Sequence, residues 1–222
     1  MRIVDITGWI HNGMWQYCDS YPGARITECE KPPFIPPDKE CYCQKFEIGG
    51  QSGTYIETAA HVDKTATPVV DIPLDELFMD VAIIKLPPKG PLEKVTLAEL
   101  EAAESDIRKG DGVIIATGWD KKWRDADFVE ASPYISREAA DWLFDKEIKL
   151  LGSDFPRFDN INAKEFPWAR LWRDAKFLLA PVANLDSVRR KRAKLCAFPI
   201  KVEGAMGTPC RAAIFEDYDE QD

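Results

Sequence analysis

Histidine is the scarcest chemistry-bearing residue in this chain: only His11 and His61 occur among 222 residues. Histidine is the usual general base near neutral pH, so an acid–base mechanism has few imidazoles to draw on. Long apolar runs are also missing. The greasiest stretches, Val81-Ala-Ile-Ile84 and Phe177-Leu-Leu179, are strand-sized and too short for a membrane-spanning helix. Asp5 interrupts the opening Met1-Arg-Ile-Val-Asp-Ile before an apolar core develops. No secretion signal is read there, and a cytoplasmic location is expected. A phosphate loop is lacking too, since Gly49-Gly50 followed by Gly53 has neither the lysine nor the spacing. Ser52 is not a nucleophile elbow, because Thr54 stands where the closing glycine belongs.

Positive charge is in short supply. Lys and Arg number 29 against 38 Asp and Glu, a formal charge of −9, which argues against a nucleic-acid partner. Much of the excess is read as an acidic tail over 216–222. The basic run Arg189-Arg-Lys-Arg-Ala-Lys194 is read as a solvated helix or loop face. The six cysteines are widely scattered and form no secreted-type framework, so reduced thiols are expected. Cys41 and Cys43, alternate residues on an expected strand, are read as packing their sulfurs together. Hydrophobic residues make up 45% of the chain, enough for one core and one domain spanning 1–222.

Strands rich in β-branched and aromatic residues are expected over 3–7, 42–48, 54–58, 81–86, 113–117, 150–153, 177–180, 197–202 and 211–215. Thr96-Leu-Ala-Glu99 is a capping box that opens a helix over 97–104. Ser136 caps a second helix, with Ala139, Ala140, Leu143 and Phe144 on one face. The proline-rich stretch 31–37 must be irregular. Helices falling between more numerous strands indicate an α/β domain with a mixed, sheet-rich core.

The segment Gln51-Ser-Gly-Thr-Tyr-Ile-Glu-Thr-Ala-Ala-His61 concentrates the chemistry. A Gly-Thr turn precedes a strand bearing Glu57, and His61 follows that strand, so base and carboxylate can converge on one pocket. Seven tryptophans are many for this length. Trp9, Trp15, Trp119 and Trp123 follow expected strands, and clustered near His61 they would form a flat slot for a planar ligand.

The same segment resembles the signature of the metal-dependent cyclase family, which includes kynurenine formamidases and isatin hydrolases. That signature reads His-x-Gly-Thr-His-x-Asp-x-Pro-x-His. Gly53-Thr54 and His61 match it. Gln51 and Tyr55 stand in place of its first two histidines, Glu57 of its aspartate and Ala59 of its proline. The likeness runs along the chain through Val4-Asp-Ile-Thr7, Asn12-Gly-Met14, Tyr21-Pro-Gly23 and Ala116-Thr-Gly-Trp119. It continues through Pro133-Tyr-Ile-Ser136, Leu151-Gly-Ser-Asp-Phe-Pro156, Val182-Ala-Asn-Leu185, Pro199-Ile-Lys201 and Gly207-Thr-Pro209.

The resemblance implies a swivelling β/β/α fold and a hydrolase of an amide, lactam or lactone of a small cyclic or aromatic molecule. It also implies a homodimer or homotetramer, in which the N-terminal loop carrying Trp15 reaches a neighbour's site. Family members bind zinc or manganese through the signature histidines and aspartate, and in some members through a later histidine and glutamate. Those later positions fall here near Trp168 and Ala180. Tyrosine and glutamine are poor ligands, so no cofactor is expected, and a weakly held divalent cation on Glu57 and His61 is the alternative. His61, Glu57, Tyr55 and Gln51 are the expected catalytic group, with His61 as base oriented by Glu57 and Tyr55 donating to an oxyanion. Thr54, Trp15, Trp119 and Trp168 are expected to bind substrate. Two other readings stay open: an inactive relative that binds a small aromatic ligand or supports an oligomer, and a metal-free lyase or isomerase using His61 and Tyr55.

Overall fold

A computed structural model describes residues 1–103 and 106–218. Its strands are β1 (Arg2–Asp5), β2 (Arg25–Glu28), β3 (Gln44–Glu47), β4 (Tyr55–Glu57), β5 (Phe78–Lys85), β6 (Lys94–Val95), β7 (Gly112–Ala116), β8 (Tyr134–Ile135), β9 (Leu150–Ser153), β10 (Phe177–Ala180), β11 (Arg192–Pro199) and β12 (Gly207–Glu216). The helices are α1 (Leu97–Ala102), α2 (Arg137–Asp145) and α3 (Trp168–Asp174).

Seven strands close a ring in the order β12-β11-β5-β7-β9-β10-β4, and β4 returns to β12. β12 is long enough to serve two partners along one edge: Gly207–Pro209 pair with β4, and 213–216 pair with β1. β5, β7, β9 and β10 run parallel, and the remaining ring pairings are antiparallel. Parallel neighbours need crossover connections, and α1, α2 and α3 occupy the three that join these strands.

Closure splits the core in two. Every ring strand sends alternate residues inward, among them Ile56, Val81, Ile83, Ile114, Leu195 and Ile214. The opposite face of β4, β5, β7, β9 and β10 packs on the helices through Tyr55, Ile84, Ile115, Leu151 and Leu178, against Leu100, Leu143 and Leu171. Both faces of the parallel strands are therefore buried, which is why they read as continuous apolar runs.

The mixed, sheet-rich α/β architecture expected from the sequence is the one found. The Thr96 hydroxyl accepts from Glu99 N, and the Glu99 carboxylate accepts from Thr96 N, so the capping box is present. α1 ends at Ala102, and Glu104, the last residue of the expected helix, lies outside the described residues. Several expectations need correction. Strand β11 lies several residues upstream of the expected 197–202 and takes in the second half of the basic run, residues 192–194, while residues 189–191 form an exposed loop as expected. Arg190 pairs with Asp217 and Arg192 with Asp111. Glu216 is not in a solvated tail: it is 1% exposed at the end of β12 and binds Arg2 and the Arg189 and Arg190 amides. Residues 219–222 lie outside the described residues. Cys43 meets Cys29 across the β2–β3 hairpin, while Cys41 is exposed, because the residues before Gln44 are not strand.

Candidate functional site

Alternation along β4 turns Tyr55 and Glu57 to the helix-covered face, while Ile56 enters the ring. Glu57 faces Gly207 in register, and a Cβ at Gly207 would lie 2.6 Å from Glu57 Cβ. Glycine is what allows β12 to pass so close. Gly53, with φ +68, makes the turn before β4 and holds Gln51 beside it. Gln51 Nε2 donates to Glu57 Oε2 at 2.8 Å. After the strand, Thr58 caps a single 3₁₀ turn, Ala59–His61, by accepting from Ala60 N. The turn brings His61 Nδ1 to 3.7 Å from Glu57 Oε2.

Gln51, Tyr55, Glu57 and His61 all line one cavity of about 540 Å³. Its far wall is aromatic. Trp168 and Trp172, four residues apart on α3, lie on one face of that helix with ring centroids 6.3 Å apart at 23°. Trp172 continues to the His61 ring at 6.5 Å, and Trp168 stacks on Phe158 at 6.3 Å and 8°.

Burial decides the charge states. It pushes the Glu57 carboxyl up to about 8, and the Gln51 hydrogen bond pulls back only in part. It also lowers the His61 pKa. Near neutral pH the site therefore holds a protonated carboxyl beside a neutral imidazole, the reverse of a carboxylate orienting an imidazolium. Burial likewise raises the Tyr55 hydroxyl well above its usual value. Tyr17 donates its one phenolic proton to Pro156 O at 3.0 Å, so Tyr55 supplies the proton of the 2.9 Å Tyr55–Tyr17 bond. In this arrangement that proton is held by Tyr17, although Tyr55 lines the cavity.

The other expected site residues divide. Trp168 lines the cavity. Thr54 does not, because its hydroxyl is buried, donating to Pro181 O at 2.6 Å and accepting from Gly8 N at 2.9 Å. Trp119 is 1% exposed and donates to Phe128 O, so it is a core residue. Trp15 packs on Tyr17, Trp123 and Phe128 of its own chain, directly behind the cavity wall but not lining it. Tyr17, Arg157, Asp159 and Trp172 also line the cavity and were missed. Trp172 had a signal, a Pro167 start followed by tryptophans four apart. Arg157 follows directly on Leu151-Gly-Ser-Asp-Phe-Pro156, while Tyr17 had no local signal.

The donor set does not fit the family's metal. Zinc sites take at least three strong ligands, and among the described residues no three His, Cys, Asp or Glu side chains gather. Glu57 Oε2 already accepts from Gln51, and Tyr55 keeps its proton. A larger groove of about 740 Å³ runs between Thr7, Trp9, Asp120 and Arg211 but carries none of the signature residues, and its Lys121 and Arg211 are paired with Asp186 and Asp5.

A closed mixed sheet carrying an acid, an imidazole and an aromatic wall on its helix-covered face defines an α/β protein with a solvent-open, aromatic-walled cavity. The chain belongs to the cyclase family: the family model described as "Putative cyclase" matches residues 4–160. It is 30% identical over 171 residues to a kynurenine formamidase of Geobacillus thermodenitrificans, covering 77% of this chain and 78% of that protein. It is 34% identical over 124 residues to an isatin hydrolase of Roseibium aggregatum, covering 50% and 47%. A crystal structure of an isatin hydrolase bound to the product analogue thioisatinate superposes with a TM-score of 0.79 at 25% identity, over 96% of this chain and 91% of that one. No helix among the described residues is long and apolar enough to cross a membrane.

Proposed function

We propose that this protein is a cytoplasmic hydrolase of an amide, lactam or lactone of a small cyclic or aromatic molecule, working through His61 and Glu57 without a metal. The observation that carries the reading is a carboxyl held protonated up to about pH 8, 3.7 Å from an imidazole held neutral, inside an aromatic-walled cavity. Two groups whose surroundings push their pKa values past each other are an acid and a base ready for use at one pH. His61 takes a proton from water as its oxygen attacks the carbonyl carbon. Glu57 gives its proton to the leaving nitrogen or oxygen as the bond to carbon breaks. The products are a carboxylic acid and an amine or alcohol, and proton transfer from His61 to Glu57 resets the site. Gln51 Oε1 is buried without a partner. An amide or lactam N–H supplies the missing donor, which favours those substrates over a lactone. The similarity to a kynurenine formamidase and an isatin hydrolase supports the same substrate class.

The test is hydrolysis of formanilide and isatin by protein of measured metal content, with and without chelator. Activity that survives the chelator and falls by about 10²-fold or more in His61→Ala is expected. Dependence on added zinc or manganese, or full activity in His61→Ala, overturns the reading. The hydrogen bond that holds Tyr55 to Tyr17 favours a second reading, aromatic-ligand binding without turnover. Binding of these compounds with no hydrolysis would select it. Assembly as a homodimer or homotetramer is proposed to use the β2–β3 hairpin, where Phe34, Tyr42 and Phe46 are exposed.

A further inference from the structure

Arg157 stands apart from the other partly buried arginines of this acidic chain among the described residues. Arg2, Arg170 and Arg192 each hold a carboxylate. Arg157 is partly buried on the cavity wall and makes no ion pair among the described residues. Its Nε is buried without a hydrogen-bond partner. Its backbone is fixed, since Arg157 N donates to the buried Ser132 Oγ at 3.3 Å, so the side chain has a defined origin. Two carboxyl groups share the cavity, and neither answers it. Asp159 is engaged by the Glu165 and Phe166 amides and by Trp168 Nε1, and Glu57 accepts from Gln51 Nε2. A partly buried guanidinium without a counter-charge is costly to maintain, and its fork of N–H donors matches a planar oxyanion.

We propose that Arg157 is the specificity-determining anchor of the site, binding the carboxylate of an aromatic ligand whose ring lies against Trp168 and Trp172. This rests on the proposed reading for the cavity but not on its turning over. The substrate class becomes an aromatic amide or lactam that carries an anionic group. Uncharged analogues stack on the same wall and leave the guanidinium unanswered.

Binding and turnover are read separately. Benzoate and benzamide have the same ring and differ in charge, and quenching of tryptophan fluorescence measures the affinity of each. Wild-type protein is expected to bind benzoate about tenfold or more tightly than benzamide. Arg157→Gln should abolish that preference while leaving benzamide affinity in place, and Arg157→Lys should retain only part of it, because the charge survives and the fork does not. Should Arg157→Gln fail to fold by circular dichroism, Arg157→Lys carries the comparison. Equal affinities in the wild type, or an undiminished preference in either folded variant, would overturn the anchor. Turnover of 2-formamidobenzoate against formanilide is then compared. A benzoate preference without turnover of either leaves the anchor standing and removes the hydrolase reading. Turnover of both at equal kcat/KM, with no benzoate preference, does the opposite.

Discussion

At the scale of single residues, pH is the most direct probe of Glu57 and His61. The folded pKa of Glu57, about 8, lies above its ordinary 4.5, so the folded state holds a proton that the unfolded chain has released. This contribution to stability is fully present below about 4.5 and is lost as pH rises toward and through 8. Asp154, buried and raised to about 7, has the same sign. His61 has the opposite sign, costing stability as pH falls through its lowered pKa. Melting temperature should therefore fall from pH 5 to pH 8, and Glu57→Gln should flatten the slope to what Asp154 leaves. Superimposable slopes for the two proteins would count against a protonated Glu57. The rate profile should be bell-shaped, with its alkaline limb near pH 8.

At the scale of elements, Thr54 joins segments that are far apart in sequence. Its hydroxyl ties the loop after β1, through Gly8 N, to the segment after β10, through Pro181 O, and it stands immediately before β4. Thr54→Val keeps the shape and leaves a buried N–H and a buried C=O unanswered, at about 1–3 kcal/mol for each group. Urea unfolding should show that loss as a lower midpoint with an unchanged m-value. A midpoint equal to the wild type would mean that water reaches both groups. Gln51 and Glu57 should also lose their fixed relation in this variant, since β4 is only three residues long and depends on its flanks.

At the scale of the whole molecule, the ring leaves the β2–β3 hairpin outside it. All four β3 residues are exposed, and among the described residues the hairpin pairs with no other strand. The proposed assembly would use this arm, where Tyr42 and Phe46 are exposed. Sedimentation should give a dimer or tetramer for the wild type and a smaller species for the Tyr42→Ser, Phe46→Ser double variant. A wild-type monomer at tens of micromolar would end this assignment.

The sequence by itself determined much of the local structure. Strands over 150–153 and 177–180, the capping box at Thr96 and the buried face of α2 are written in periodicity and caps, which act within one turn or one strand. The grouping of Gln51, Glu57 and His61 was legible for the same reason, since eleven residues of turn, strand and turn contain it. Closure of the ring was not. It depends on β12 pairing with β4, Gly207 against Glu57, a contact between segments far apart in the chain that leaves no local pattern. Only the tertiary structure could place Trp119 in the core, bring Arg157 and Trp172 to the cavity that Glu57 lines, and set Tyr55 against Tyr17. Each of these depends on which distant side chain fills the neighbouring space. Burial then set the charge states of the site, because removing water from Glu57 and His61 shifts their protons and no single stretch of sequence removes it.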